Sequence, residues 1–227
     1  MWASRRNETA DSGATRQHYD ALAPDYDAQA NQACKRAYAE LLARVAPDAQ
    51  RILEIGAGSG MLLAQRSAPL RVACDLSFAM LAARKGDGGV QRVTADAQRL
   101  PFRDASFDLA FSVNLLEHVP DPQRVAGEAS RLLMPGGTFL GITPNGNVAW
   151  LLELLERLHL KLPEGPHRFL TYDEMAALKG EAFELLECRR FIACPAGPPT
   201  FVRWVDARLR RGRGSGLFHY VLLRKRR

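Results

Sequence analysis

Arg51-Ile52-Leu53-Glu54-Ile55-Gly56-Ala57-Gly58-Ser59-Gly60 carries a short apolar segment straight into glycines at alternate positions, and Met61 to Arg66 then reads as the start of a helix. A strand, a glycine turn and a helix in that order place the turn beyond the carboxyl end of the strand, where open α/β sheets bind ligands. Glycine lets the backbone turn sharply there and approach a ligand closely. The dinucleotide fingerprint is G-x-G-x-x-G. Here the glycines fall at 56, 58 and 60, and Met61 takes the sixth position. The register that cradles a pyrophosphate is therefore absent, and so is the Gly-Lys-Ser/Thr of a P-loop.

Outward from this turn the chain alternates strands and helices. Residues 15–46 read as helical and are ended by Pro47-Asp48. Leu70 to Cys74 is a second strand, and Ser77 caps a helix through Lys85. Gln91 to Thr94 and Phe107 to Val113 are the third and fourth strands. Pro122 to Leu133 is a helix closed by Pro135-Gly136-Gly137, and Thr138 to Thr143 is the fifth strand. This alternation implies crossover units and a parallel sheet with helices on both faces. Beyond Pro144 the pattern changes. Val148 to Leu162 is a helix with a wide apolar face, Thr171-Tyr172-Asp173-Glu174 is a capping box, and Phe183 to Ile192 and Leu217 to Leu223 are strand candidates. Residues 1–14 are polar and are expected to form a flexible tail. Residues 15–227 are expected to form a single domain, with 145–180 inserted as a lid on the acceptor side.

Three acids close three consecutive strands. Glu54 ends the first, Asp75 the second, and Asp96 follows the third. An acid in the place of Asp75 accepts hydrogen bonds from a ribose diol. A carboxylate in the place of Asp96 can accept from an adenine amino group. Together they line one edge of the sheet and describe a nucleoside without a pyrophosphate.

The composition fits a soluble globular chain: 227 residues, 47% hydrophobic and 25% charged. It excludes a disordered chain, a collagen-like fibre and a disulfide-stapled miniprotein. No apolar run reaches the ~18 residues of a bilayer span. Arg5-Arg6 is followed by polar residues and not by an apolar stretch, so no signal peptide is read and a cytoplasmic location is expected. Cys34, Cys74, Cys188 and Cys194 form no C-x-x-C and are expected to be reduced thiols. The net charge of +6 is concentrated from Arg203 to Arg227, where nine Lys/Arg face Asp206 alone. A basic segment of this kind suits an anionic surface or a solvated connection. No aromatics interleave Arg208 to Arg213, so the stacking platform of a single-strand binder is missing.

The ordered set of motifs resembles the class I S-adenosylmethionine-dependent methyltransferases of the ubiquinone/menaquinone-biosynthesis-like group. The resemblance covers roughly residues 17–223. It rests on Tyr19-Asp20 and Tyr26-Asp27, Leu53 to Gly60, Asp75-Leu76-Ser77, Ala95-Asp96-Ala97 with Leu100-Pro101-Phe102, Phe107-Asp108, Glu117-His118-Val119, and Leu133-Met134-Pro135-Gly136-Gly137. It implies a Rossmann-like seven-stranded sheet, mostly parallel, with its last strand antiparallel. It also implies that the loop Gly56-Ala57-Gly58 holds the methionine portion of the cofactor, Asp75 the ribose and Asp96 the adenine, with Leu76 and Ala97 flanking the ring. Asn114-Leu115 is implied to approach the cofactor, whose spent form is S-adenosylhomocysteine. In the quinone branch the segment after the fourth strand reads E-x-x-E-H and is associated with a divalent metal. Here it reads Asn114-Leu115-Leu116-Glu117-His118, so an amide replaces one carboxylate. Hard cations prefer charged oxygen ligands, and no metal is expected.

Transfer of an activated methyl needs a base only where the nucleophile arrives protonated. His118 and His167 are the candidates, because an imidazole titrates near neutral pH and suits a phenol or enol proton. Each also reads as an ordinary histidine, His118 packed at a helix cap and His167 in a surface loop. Tyr19 and Tyr26 either close over the cofactor or anchor the N-terminal helix. Trp150, Leu151, Leu154, Leu155 and Leu158 either cover an apolar acceptor pocket or extend the core. The expected acceptor is a small, partly apolar molecule. The alternatives are an RNA or protein methyltransferase using the basic C-terminal segment, and a cofactor-binding relative without catalysis. The oligomeric state is left open.

Overall fold

The computed structural model describes residues 11–29, 32–84, 86, 88–150, 167–191 and 216–227. Seven strands form one sheet: β1 (Arg51–Ile55), β2 (Leu70–Asp75), β3 (Gln91–Thr94), β4 (Phe107–Val113), β5 (Leu133–Pro144), β6 (Phe183–Phe191) and β7 (Phe218–Lys225), in the order β3-β2-β1-β4-β5-β7-β6. β7 runs antiparallel to both of its neighbours, and every other pairing is parallel. The order reverses at β1, between β2 and β4, and that switch point is where such sheets open a crevice.

Among the described residues the helices are α1 (Ser12–Leu22), α2 (Tyr26–Gln29), α3 (Gln32–Val45), α4 (Met61–Ala64), α5 (Phe78–Ala83), α6 (Pro122–Leu132) and α7 (Tyr172–Ala177). Alternation along the strands feeds two cores. Ile52, Ala73, Phe111, Leu140 and Leu222 face one side with Tyr38, Leu41 and Leu42 of α3 and Leu62 and Leu63 of α4. Leu53, Val72, Ala110, Phe139 and Leu223 face the other with Val125, Ala129 and Leu132 of α6 and Met175 of α7. α1, α5, α6 and α7 each start where a side chain satisfies an orphan N–H. Ser77 accepts from Met80 at 3.0 Å, Asp121 accepts from Arg124 at 3.1 Å, and Thr171 and Glu174 form the capping box.

The N-terminal region departs from the expected single helix. The pattern breaks at Ala23-Pro24-Asp25, where α1 ends and beyond which α2 begins. Proline lacks the donor a helix interior needs and its ring collides with the preceding turn. The first helix starts earlier than expected, at Ser12, because Asp11 accepts from the Gly13 N–H at 2.9 Å. It therefore enters the stretch read as a flexible tail. β5 starts at Leu133, before the Pro-Gly-Gly turn expected to precede it, and its pairing with β4 shifts register between Phe107 and Leu109. The lid helix expected from Val148 to Leu162 and the arginines from 208 to 213 lie mostly or wholly outside the described residues, as does Cys194. Among the described residues Cys74 and Cys188 are free thiols.

Candidate functional site

The glycine turn after β1 is built around three left-handed residues, Gly56 (φ 71°), Gly58 (φ 55°) and Gly60 (φ 74°). A side chain is excluded at Gly56 for a second reason: a Cβ there would sit 2.7 Å from Leu115 Cδ1. The N–H groups of Gly56 and Ala57 donate to the Cys74 carbonyl at 2.8 and 2.9 Å. The turn is thereby tied to the end of β2. Glu54 does not line the open edge. It is buried beneath the turn, where Oε2 accepts from the Leu63 N–H of α4 at 3.2 Å. Burial pushes its carboxyl pKa well above the ordinary carboxylate range.

Asp75 closes β2 beside this turn. Its Oδ2 accepts from the Gly58 N–H and its Oδ1 from the Ser77 N–H, both at 2.8 Å. Burial raises its pKa, and N–H donation from Ser77, Gly58 and Leu76 pulls it back down. A carboxylate has about four lone-pair sites, so two oriented oxygens retain acceptor capacity toward a ligand diol. Asp96 follows β3, and its Oδ1 accepts from the Gln98 N–H at 2.8 Å. Leu76 is half-buried and Ala97 buried. Because β1, β2 and β3 are neighbours, the turn, Asp75 and Asp96 stand in a row at a strand spacing of about 4.8 Å. The glycine cradle and this row of acceptors fit an adenosine carrying a short amino-acid arm.

α1 and α2 are strapped over the cradle. Asp20 is hydrogen-bonded to Ser77 Oγ. Asp27 accepts from Ser59 Oγ at 2.7 Å and pairs with Arg84 at 3.2 Å and Lys35 at 3.6 Å. Burial lowers the Lys35 pKa, and Asp27 offsets part of that. A Cβ on Gly58 would lie 3.7 Å from the Tyr26 ring, so Tyr26 forms part of the wall. Sequence reasoning singled out Tyr19 and Tyr26 and passed over the acids that follow them. The available signal was the repeated Tyr-Asp pair itself.

On the other side of the switch point β4 runs into Asn114, which is left-handed (φ 52°) and donates its N–H to the Ile142 carbonyl at 2.9 Å. Its Oδ1 is buried and has no hydrogen-bond partner among the described residues. Leu115 packs against Gly56, and Leu116–His118 form a buried 3-10 turn. Four residues singled out in sequence meet here. Tyr19 Oη and His118 Nε2 are hydrogen-bonded at 3.0 Å. Ring centroids of Tyr19 and Tyr26 are 6.2 Å apart, and those of His118 and His167 are 6.0 Å apart. Phe169 extends the line of rings at 4.4 Å from His167. Tyr19 thus stands between Tyr26 and His118. Trp150 is 62% exposed. Glu117 accepts from Thr143 Oγ1 at 2.7 Å. Among the described residues no group of three His, Cys, Asp or Glu side chains is placed to hold a metal ion.

A family model described as a methyltransferase domain matches residues 53–141. The ubiquinone biosynthesis O-methyltransferase of Hahella chejuensis is 31% identical over 162 residues, 64% of this chain and 68% of that protein. The malonyl-[acyl-carrier protein] O-methyltransferase of Geobacter sulfurreducens is 33% identical over 182 residues, 73% of this chain and 68% of that protein. Among solved structures, a Thermotoga maritima S-adenosylmethionine-dependent methyltransferase, described as a possible histamine N-methyltransferase, superposes with a TM-score of 0.72 at 20% identity. That alignment covers 94% of this chain and 100% of the other. Sequence, strand order and glycine cradle agree: the chain belongs to the class I S-adenosylmethionine-dependent methyltransferases.

Proposed function

We propose that this methyltransferase acts on a phenol or enol oxygen of a small, partly apolar acceptor, with the His118/His167 pair taking the proton. One observation carries the reading: at the edge beside the cofactor cradle, His118 Nε2 already holds a phenolic oxygen, that of Tyr19, at 3.0 Å. An imidazole within hydrogen-bond reach of the oxygen it deprotonates meets the geometric condition for a general base. The O-methyltransferase relatives support the choice of oxygen.

Bound S-adenosylmethionine supplies the activated methyl group, which passes to the acceptor oxygen by in-line displacement as the bond to sulfur breaks. Asp75 takes the ribose hydroxyls and Asp96 the adenine amino group. Gly56, Ala57 and Gly58 let the main chain close on the amino-acid arm, and Lys35 and Arg84 bring positive charge toward its carboxylate. Tyr19 and Tyr26 wall the methyl-bearing end. The acceptor proton moves to an imidazole nitrogen as the new carbon–oxygen bond forms. Trp150, largely exposed, packs on the acceptor ring.

The test is transfer of radiolabelled methyl from S-adenosylmethionine to a panel of phenols, enols, amines and RNA. Phenols or enols are the expected acceptors. His118→Ala or His167→Ala is expected to lower turnover by ~10²–10⁴ while cofactor affinity is kept, and Trp150→Ala to raise the acceptor KM. Preferential methylation of an amine or RNA, or full turnover in both histidine variants, refutes the reading.

A further inference from the structure

We infer that Glu117 is the positioning residue of the acceptor side, and that it sets the separation of His118 and His167 by gripping a different element with each of its two ends. The inference rests on the proposed role of those histidines. Its side-chain end accepts from Thr143 Oγ1 at 2.7 Å, with both residues buried. That bond fixes the turn after β4 against β5. Its main-chain carbonyl accepts from the Arg168 N–H at 2.8 Å. His118 is the next residue along from Glu117, and His167 immediately precedes Arg168. One residue therefore joins the two imidazoles, which are far apart in sequence, through adjacent backbone.

The local structure needs such a grip. A three-residue 3-10 turn has poor hydrogen-bond geometry and no cooperative stability of its own. Its place is set by what it is bound to. The 167–170 segment is held at its other end as well. Gly146 donates its N–H to the Leu170 carbonyl at 2.9 Å, and a Cβ on Gly146 would sit 2.6 Å from that oxygen. Arg168 pairs with Glu174 at 2.6 Å, inside the capping box of α7. The segment thus has fixed ends, and the Glu117 carbonyl is the contact that aligns it with His118. Positional error of about 1 Å in a reacting group can cost on the order of 10²-fold in rate.

The experiment uses Thr143→Val, which keeps the shape and removes the donor, with Thr143→Ser and Glu117→Gln as variants that keep donor and acceptor. Two readouts are taken on the full chain: amide hydrogen exchange at Arg168, and kcat with its pH profile alongside cofactor affinity. Thr143→Val is expected to speed exchange at Arg168 at least tenfold and to lower kcat at least tenfold at unchanged cofactor affinity, and Thr143→Ser and Glu117→Gln to return both toward wild type. Unchanged exchange at Arg168 in Thr143→Val overturns the inference, as does failure of Thr143→Ser to restore it. A failure of the histidine reading is separate: it shows as full turnover in His118→Ala and His167→Ala, whatever the exchange rate at Arg168.

Discussion

His219 tests the packing of the sheet through its response to acid. It lies in β7, opposite Thr143 of β5 and Arg190 of β6, and is fully buried. Neither ring nitrogen has a hydrogen-bond partner among the described residues. Burial, helped by the Arg190 charge and opposed by Glu174, pushes its pKa from the ordinary 6.5 down to about 4. The folded state therefore holds a neutral ring. Above pH 6.5 this costs nothing, because the unfolded chain is neutral too. Below it the unfolded chain gains a proton that the folded chain refuses until about pH 4, so stability is lost as pH falls through that window. At one pKa unit per 1.36 kcal/mol, the loss attributable to this ring is about 2 kcal/mol on going from about pH 7.5 to about pH 5. His219→Phe keeps a flat ring and removes the titration. Urea unfolding of both proteins at the two pH values reads the effect as a double difference, which cancels Glu54 and Asp75, whose raised pKa values act in the opposite direction. The variant is expected to lose about 2 kcal/mol less than wild type on acidification. It is also expected to be at least as stable near neutrality, since no hydrogen bond to a described residue is removed. Equal losses in the two proteins would show that His219 is solvated or paired, and would refute the argument.

Asp75→Ala removes the acceptor beside the glycine turn and is expected to weaken S-adenosylmethionine binding by about tenfold or more, from ~1.5–3 kcal/mol for hydrogen bonds to a charged group; calorimetry checks it, and NADH should not bind. Gly56→Ala forces a methyl group to within 2.7 Å of Leu115 at a left-handed residue. Loss of cofactor binding, out of proportion to any fall in Tm, is expected in equilibrium dialysis with the labelled cofactor. Turnover is expected to be indifferent to a chelator, because Asn114 replaces a carboxylate and Glu117 is engaged with Thr143; activity lost to chelation and restored by magnesium would reverse this.

Much of the fold is legible from local pattern. Short apolar runs mark β1, β2 and β4, and Ser77 and the Thr171/Glu174 box announce two helix starts because capping is settled within one turn of chain. The glycines at 56, 58 and 60 announce a left-handed turn for the same reason. Pro24 was also a local signal, a helix breaker inside an otherwise periodic stretch, and it splits the N-terminal segment. Spacing alone predicted Glu54 at the open edge with Asp75. Its position in β1 is right, but the side chain turns beneath α4, and only the packing of that helix decides this.

The sequence by itself determined the class of protein: alternating elements, a glycine turn in a register unsuited to a pyrophosphate, and acids at successive strand ends. These follow from periods of 2 and 3.6 residues and from turn chemistry, which act over a few residues. The tertiary structure decided which side chains meet. Tyr19 reaches His118 across 99 positions. The carbonyl of Glu117 finds the N–H of Arg168, and Asp27 draws Ser59, Lys35 and Arg84 together. His219 is sealed between β5 and β6 because its own strand, β7, inserts between them. Such contacts depend on how the chain closes over long loops, and no local spacing encodes that closure.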